Sequence, residues 1–223
     1  MKRTKLRDRK LPDYTRGEEL FNMISHIVGG ALGVVALVLC VLVSARKGDA
    51  WSIAGSIIYG VSLILLYTMS SVYHGLRHEM AKKVMQVIDH CTIYFLIAGT
   101  YTPILLSAIR IVSPSVAWTL FGVEWGLAAV ATVFTAIDLK KYSVLSMICY
   151  IGLGWCVVFA AKTTIAAIQP VGLLLLLLGG IAYTIGAVLY GFGRKYRYMH
   201  SVFHLFVVVG SVLQFLCILF FVL

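Results

Sequence analysis

Charge is scarce in this chain, and negative charge most of all. Only 13% of the 223 residues are charged, and nine Asp and Glu stand against nineteen Lys and Arg. Cysteine offers no framework either. Cys40, Cys91, Cys149, Cys156 and Cys217 lie singly in apolar runs with no Cys-x-x-Cys spacing, which argues against a disulfide scaffold or a cysteine zinc site and reads as small packing residues. No cleavable leader is expected, because the first sixteen residues are basic and polar and the apolar run from Leu20 is long enough to span a bilayer. What the chain has instead is apolar surface. Hydrophobic residues make up 61% and the mean hydropathy is +0.94, against roughly 45–50% apolar residues in soluble domains. This is the composition of a polytopic membrane protein. The net charge of +10 therefore belongs to loops and tails that face lipid headgroups, and no nucleic-acid partner is expected.

The hydropathy pattern predicts a basic, flexible tail over 1–16 and one helical domain over 17–223. The first span runs from Glu19 or Leu20 to Ser44 and uses Gly29, Gly30, Ala31 and Gly33 for close packing. Further spans follow at Trp51–His74 and Val84–Leu106, separated by a polar loop over Gly75–Lys83. Three more are expected at Pro114–Ile137, Tyr142–Ala161 and Pro170–Gly191. The last is entered through Tyr198-Met199-His200-Ser201-Val202-Phe203-His204 and continues to Leu223. Each holds about 20 residues or more, the length that crosses a hydrocarbon core of roughly 30 Å. The expected fold is thus all-α, a seven-transmembrane helix bundle.

Loop charges orient the bundle. Fifteen Lys and Arg fall on the side shared by the N-terminal tail and the second, fourth and sixth loops, Lys2, Arg194 and Lys195 among them, and four on the other side. The positive-inside bias then places the N-terminus in the cytoplasm and the C-terminus outside. This topology gathers the intramembrane polar residues. Glu19, Asn22, His26, Ser70, His74, Asp89, His90, His200 and His204 all fall near the cytoplasmic ends of their spans, in one layer where ionisable groups are costly and usually functional. Glu124 is the exception, mid-span in the fourth helix and towards the outer side.

Within that layer, His200 and His204 are four apart and share a helix face. Such a pair can bridge a metal or can be two interfacial histidines. A catalytic zinc takes a third protein ligand and leaves its fourth position to water, and His74 lies at the matching depth. His78 competes with it, but Gly75 and Arg77 make a helix continuing that far doubtful. Asp89 and His90 point about 100° apart, so both should not face one site, and Asp89 is preferred because a deep carboxylate needs a partner more urgently. Ser70 lies one turn from His74 on the same face, where it can also simply bond back to a carbonyl. Glu19, Asn22 and His26 form a supporting polar cluster, which can equally cap the helix or pair with loop residues.

These residues carry a resemblance. Glu19-x-x-Asn22-x-x-x-His26, Ser70-x-x-x-His74 with Asp89, and His200-x-x-x-His204 resemble the three signature motifs of the hemolysin III and progestin/adipoQ receptor family. The likeness runs from about Arg16 to the C-terminus and includes Asp89-His90-Cys91-Thr92-Ile93-Tyr94 and Gly99-Thr100-Tyr101-Thr102-Pro103. The short tail resembles the bacterial hemolysin III branch. The resemblance implies seven spans with a cytoplasmic N-terminus and zinc held by His74, His200 and His204. It further implies that Asp89 contacts water at the metal, with Ser70 close by. Relatives that include adiponectin receptors and alkaline ceramidases imply hydrolysis of a ceramide-like lipid amide, with membrane lipids as partners. No His-Glu-x-x-His is present, so the base would be Asp89. A sensor or receptor with structural zinc is the alternative, and a cytolysin ranks below both, because seven permanent spans cannot readily transfer to a target cell. Closed structural zinc sites have four protein ligands, and three at one depth favour an open, water-bearing site.

Overall fold

Seven apolar helices form because the chain alternates long stretches that must satisfy their own backbone hydrogen bonds in lipid with short polar breaks. A computed structural model describes residues 3–192 and 196–223; Lys2, Arg194 and Lys195 of the charge division lie outside the described residues. The spans are α1 (Arg16–Lys47), α2 (Ala50–Gly75), α3 (Glu79–Val112), α4 (Pro114–Ile137), α5 (Ser143–Ala167), α6 (Pro170–Gly191) and α7 (Met199–Val222). The described residues contain no strand. Apolar side chains such as Ile27, Val34, Val130 and Val188 point outwards, as a lipid-facing surface requires. The core is built from Leu63, Tyr67, Leu96, Ile104, Val207 and Ile218.

Two helix starts lie earlier than the hydropathy pattern places them, and both matter for the site. Thr15 and Glu18 make a capping box that starts α1 at Arg16. His78 caps α3 by accepting from the Ala81 N–H, and Glu79 pairs with Lys83 at 2.6 Å one turn on. Residues 79–83, expected in a loop, are therefore helical, and Lys82 is held on a rigid element. Asp89 then lies about 15 Å along its helix from Glu79, deeper than a start at Val84 implies.

Close packing of α1 on α2 follows from the small residues. A Cβ on Gly29 would overlap the Tyr67 ring, and one on Gly33 would stand 3.1 Å from the Ile64 nitrogen. Ala31, by contrast, faces outwards. Three spans are not regular α-helix. In α3, Pro103 precedes a π-helical stretch at Ile104–Ile109, because the proline cannot donate in the ladder. In α5 a 3₁₀ segment at Cys156–Ala160 separates two α-helical parts. The end of α7, Ile218–Val222, is π-helical. A large cavity lies between α3, α5 and α6, with Trp155, Val157 and Val158 at the α5 break in its wall.

The N-terminal segment departs from the expectation of a flexible tail. The Thr4 N–H donates to Asp138 at 2.7 Å, Arg3 donates to the Ile137 carbonyl at 3.0 Å, and Lys83 donates to the Arg7 carbonyl at 2.8 Å. These bonds strap residues 3–15 across the N-terminal face of the bundle. Asp138 is enclosed, and burial alone would raise its pKa. Amide donors from Thr4, Lys141 and Lys140 outweigh that and hold the carboxyl below the usual carboxylate range.

Candidate metal centre

Three helices deliver the site. Near its end α2 presents His74, and the first turns of α7 present His200 and His204 on one face. Tyr198, which precedes α7, has a left-handed backbone (φ 62°), and its N–H donates to Glu18 at 2.7 Å. This bond ties the entry of α7 to the cap of α1 and so fixes where His200 begins. All three histidines are buried.

Their Nε2 atoms converge. His200 Nε2 lies 3.4 Å from His74 Nε2 and 3.1 Å from His204 Nε2, and one donor atom from each ring falls within 4.8 Å of the others. Ligands of a tetrahedral zinc with Zn–N of about 2.0–2.1 Å stand roughly 3.3–3.4 Å apart. The spacing therefore fits a tetrahedral ion, and borderline-soft imidazole nitrogens are suitable donors for zinc.

The opposite ring edge explains the position of His74. Its Nδ1 is 2.6 Å from Glu19 Oε2, and Glu19 Oε1 is 2.8 Å from the Lys82 ammonium. A carboxylate on Nδ1 fixes the ring orientation, keeps the proton on Nδ1, and makes Nε2 a better donor. Sequence reasoning placed Glu19 in the supporting cluster but missed Lys82, whose residue appeared to belong to a loop. The remaining cluster members take other places. His26 stacks on His204 at 3.7 Å between ring centroids and meets Tyr67 edge-on at 5.0 Å. Asn22 is fully buried with no hydrogen-bond partner for its amide. His204 Nδ1 makes no hydrogen bond among the described residues.

Asp89 stands apart from the triad, which is the one group of three or more ligating residues with metal-site spacing among the described residues. Ser70 and Asp89 both line the large cavity with His200 and His204. His90 also lines this cavity. The space is wide enough to admit both sides of α3. His90 Nδ1 donates to the Gln86 carbonyl at 2.8 Å and Nε2 is 3.1 Å from the Tyr190 hydroxyl, so its ring is engaged away from the triad. His78 is exposed at its cap position. Glu124 is buried in α4 beside the Cys156 thiol and pairs with no cation among the described residues.

Tyr14 gave no signal in the sequence. From the strap, its ring stacks on His200 at 4.9 Å and 16°. Burial pushes its phenol above the ordinary value, reinforced by Tyr190, Glu19 and Asp89 nearby, so it stays neutral over the site.

Below this layer the cavity, about 480 Å³, extends between α3, α5, α6 and α7 to Leu173 and Gln214. Its wall from His200 to Gln214 climbs roughly 21 Å along α7, more than the roughly 15 Å filled by the acyl chains of one leaflet.

Residues 14–215 match the family described as Haemolysin-III related. The chain is 38% identical over 208 residues to the "Hemolysin-3 homolog" of Bacillus subtilis (strain 168), covering 93% of this chain and 96% of that protein. It is 37% identical over 206 residues to "Hemolysin-3" of Bacillus cereus, covering 92% of each. The human "Monocyte to macrophage differentiation factor" is 26% identical over 194 residues, covering 83% of this chain and 77% of that protein.

Proposed function

The chain belongs to the haemolysin-III related family and is a multi-pass bacterial membrane protein; from that premise we propose that it is a zinc-dependent hydrolase of ceramide-like lipid amides. The observation that carries this reading is the convergence of three histidine nitrogens beside one long apolar cavity whose wall carries two of them, His200 and His204, and a separate carboxylate, Asp89. A lipid enters with its acyl chain along the α3–α5–α6–α7 space and its amide carbonyl at the histidine layer. The N-terminal face carries the basic loops, and we assign it to the cytoplasm.

His74, His200 and His204 would hold the metal through Nε2, with Glu19 and Lys82 orienting His74. Zinc there would supply a nucleophile at neutral pH and polarise the amide carbonyl. Asp89 accepts the proton of the attacking water and returns it to the departing amine. Ser70 steadies the Asp89 carboxylate, and Tyr14 excludes bulk water above His200.

The test measures product release from a panel of ceramides, acyl amides and phospholipid esters by wild type, Asp89→Asn and His204→Ala, with zinc assayed in the same preparations. Asp89→Asn is expected to keep its zinc and lose about 10²–10⁴-fold of the amide hydrolysis, the usual share of a general base. A zinc-loaded wild type that releases nothing above the His204→Ala background rules out the enzyme reading and leaves a zinc-containing sensor. Loss of zinc from Asp89→Asn makes that residue a ligand and overturns the role given to it.

A further inference from the structure

A second cavity, about 530 Å³, opens on the N-terminal face and reaches His74 from the side opposite the apolar cavity. Its charged wall is made by Arg16 at the start of α1, Glu19 one turn on, Arg77 in the α2–α3 turn and Lys82 in α3. Glu19 has both oxygens committed, one to His74 and one to Lys82, so Lys82 arrives already neutralised. Arg16 and Arg77 are different. Neither has a hydrogen-bond or ion-pair partner among the described residues, and two uncompensated guanidinium groups facing one concavity focus positive potential into it. Both residues are exposed and line this concavity, whereas Arg46 and Lys47, exposed at the other end of α1, line neither cavity.

We propose that this vestibule is a binding site for a phosphate group, gripped by Arg16 and Arg77. The guanidinium fork matches phosphate oxygens two at a time, and a phosphate has enough free oxygens to serve both forks. The site lies where helix ends meet the headgroup layer, and basic pockets between spans at that level hold anionic lipid heads. A phosphate there sits beside His74 without competing for its Nε2, which faces the other histidines. The site does not depend on turnover at the histidines, so it stands or falls separately from the hydrolase reading.

The experiment uses the full chain in detergent micelles with three radiolabelled probes: dihexanoyl phosphatidic acid, dihexanoylglycerol and inorganic phosphate. Wild type is expected to retain the phosphatidic acid saturably, with a preference of at least about tenfold over the neutral glyceride. Arg16→Gln with Arg77→Gln is expected to lose at least about tenfold in affinity, with an unchanged unfolding midpoint in the absence of probe. Arg77→Lys, which keeps the charge and removes the fork, is expected to fall between them. Arg46→Gln with Lys47→Gln is expected to bind as wild type. His204→Ala should also bind as wild type, which separates this site from any failure of hydrolysis. Binding of inorganic phosphate as tight as that of the lipid identifies the ligand as a free anion, and tighter lipid binding identifies a headgroup; either result keeps the phosphate site. Absence of saturable binding by both phosphate probes, or undiminished binding by the double variant, overturns it.

Discussion

Adjacent acids in the first turn of α1 have different work, and separating them tests how the metal candidate is built. Glu19→Gln removes the carboxylate from His74 Nδ1 (2.6 Å) and from Lys82 (2.8 Å) but keeps the shape. The His74 ring then loses its fixed orientation and part of its basicity, while Lys82 retains the Leu76 and His74 carbonyls at 3.1 and 3.4 Å and the face of the Tyr73 ring at 5.2 Å. Removing such an outer partner of a ligating histidine costs about 10–100-fold in metal affinity, which is about 1.4–2.7 kcal/mol. Glu18 instead bonds Thr15 and the Tyr198 N–H. Glu18→Gln keeps an oxygen for the Tyr198 N–H, and with it the entry of α7, but removes the charge from the cap; it should lower the unfolding midpoint and leave zinc affinity within about threefold. The assay is competition of each zinc-loaded protein against a chromophoric chelator. Equal affinities for Glu19→Gln and wild type, with His74→Ala metal-free, would refute the orienting role of Glu19.

Three further outcomes are expected. Asp138 has a depressed pKa, so its hold on the strap is complete above the ordinary carboxylate value of about 3.9 and is lost as pH falls through the lower folded value. Asp138→Asn mimics that state, and tryptic cleavage between Lys5 and Lys10 at neutral pH should rise by about twofold to tenfold, the share of a lost hydrogen bond. Filling the far end of the apolar cavity with Leu173→Trp should reduce hydrolysis of long-chain amides more than of short-chain ones; an equal reduction would place the acyl chain elsewhere. A reporter fused after Leu223 should be active outside and one within Gly75–Arg77 inside, and a cytoplasmic C-terminus would contradict the orientation drawn from loop charges.

Much of the bundle was legible because twenty-residue apolar runs have few other solutions. The starts of α1 and α3 were not, since they depend on Thr15, Glu18 and His78 acting as caps within polar sequence, where hydropathy is silent. The same silence hid Lys82, because a lysine next to Lys83 reads as a solvated charge until the helix turns it towards Glu19. His200 and His204 were readable from helical spacing alone, and His74 from depth. Tyr14 reaches His200 through a strap tied to the bundle by long-range contacts, and no periodicity encodes such contacts.

Zinc content tests the central claim most directly. Elemental analysis of purified wild type, His74→Ala, His200→Ala and His204→Ala, each checked for folding by its unfolding midpoint, should give about one zinc per chain for wild type, as a single tetrahedral site requires, and little in any variant. A metal-free wild type prepared without chelator, or variants that keep their zinc, would contradict the assignment of the three convergent nitrogens as a metal centre.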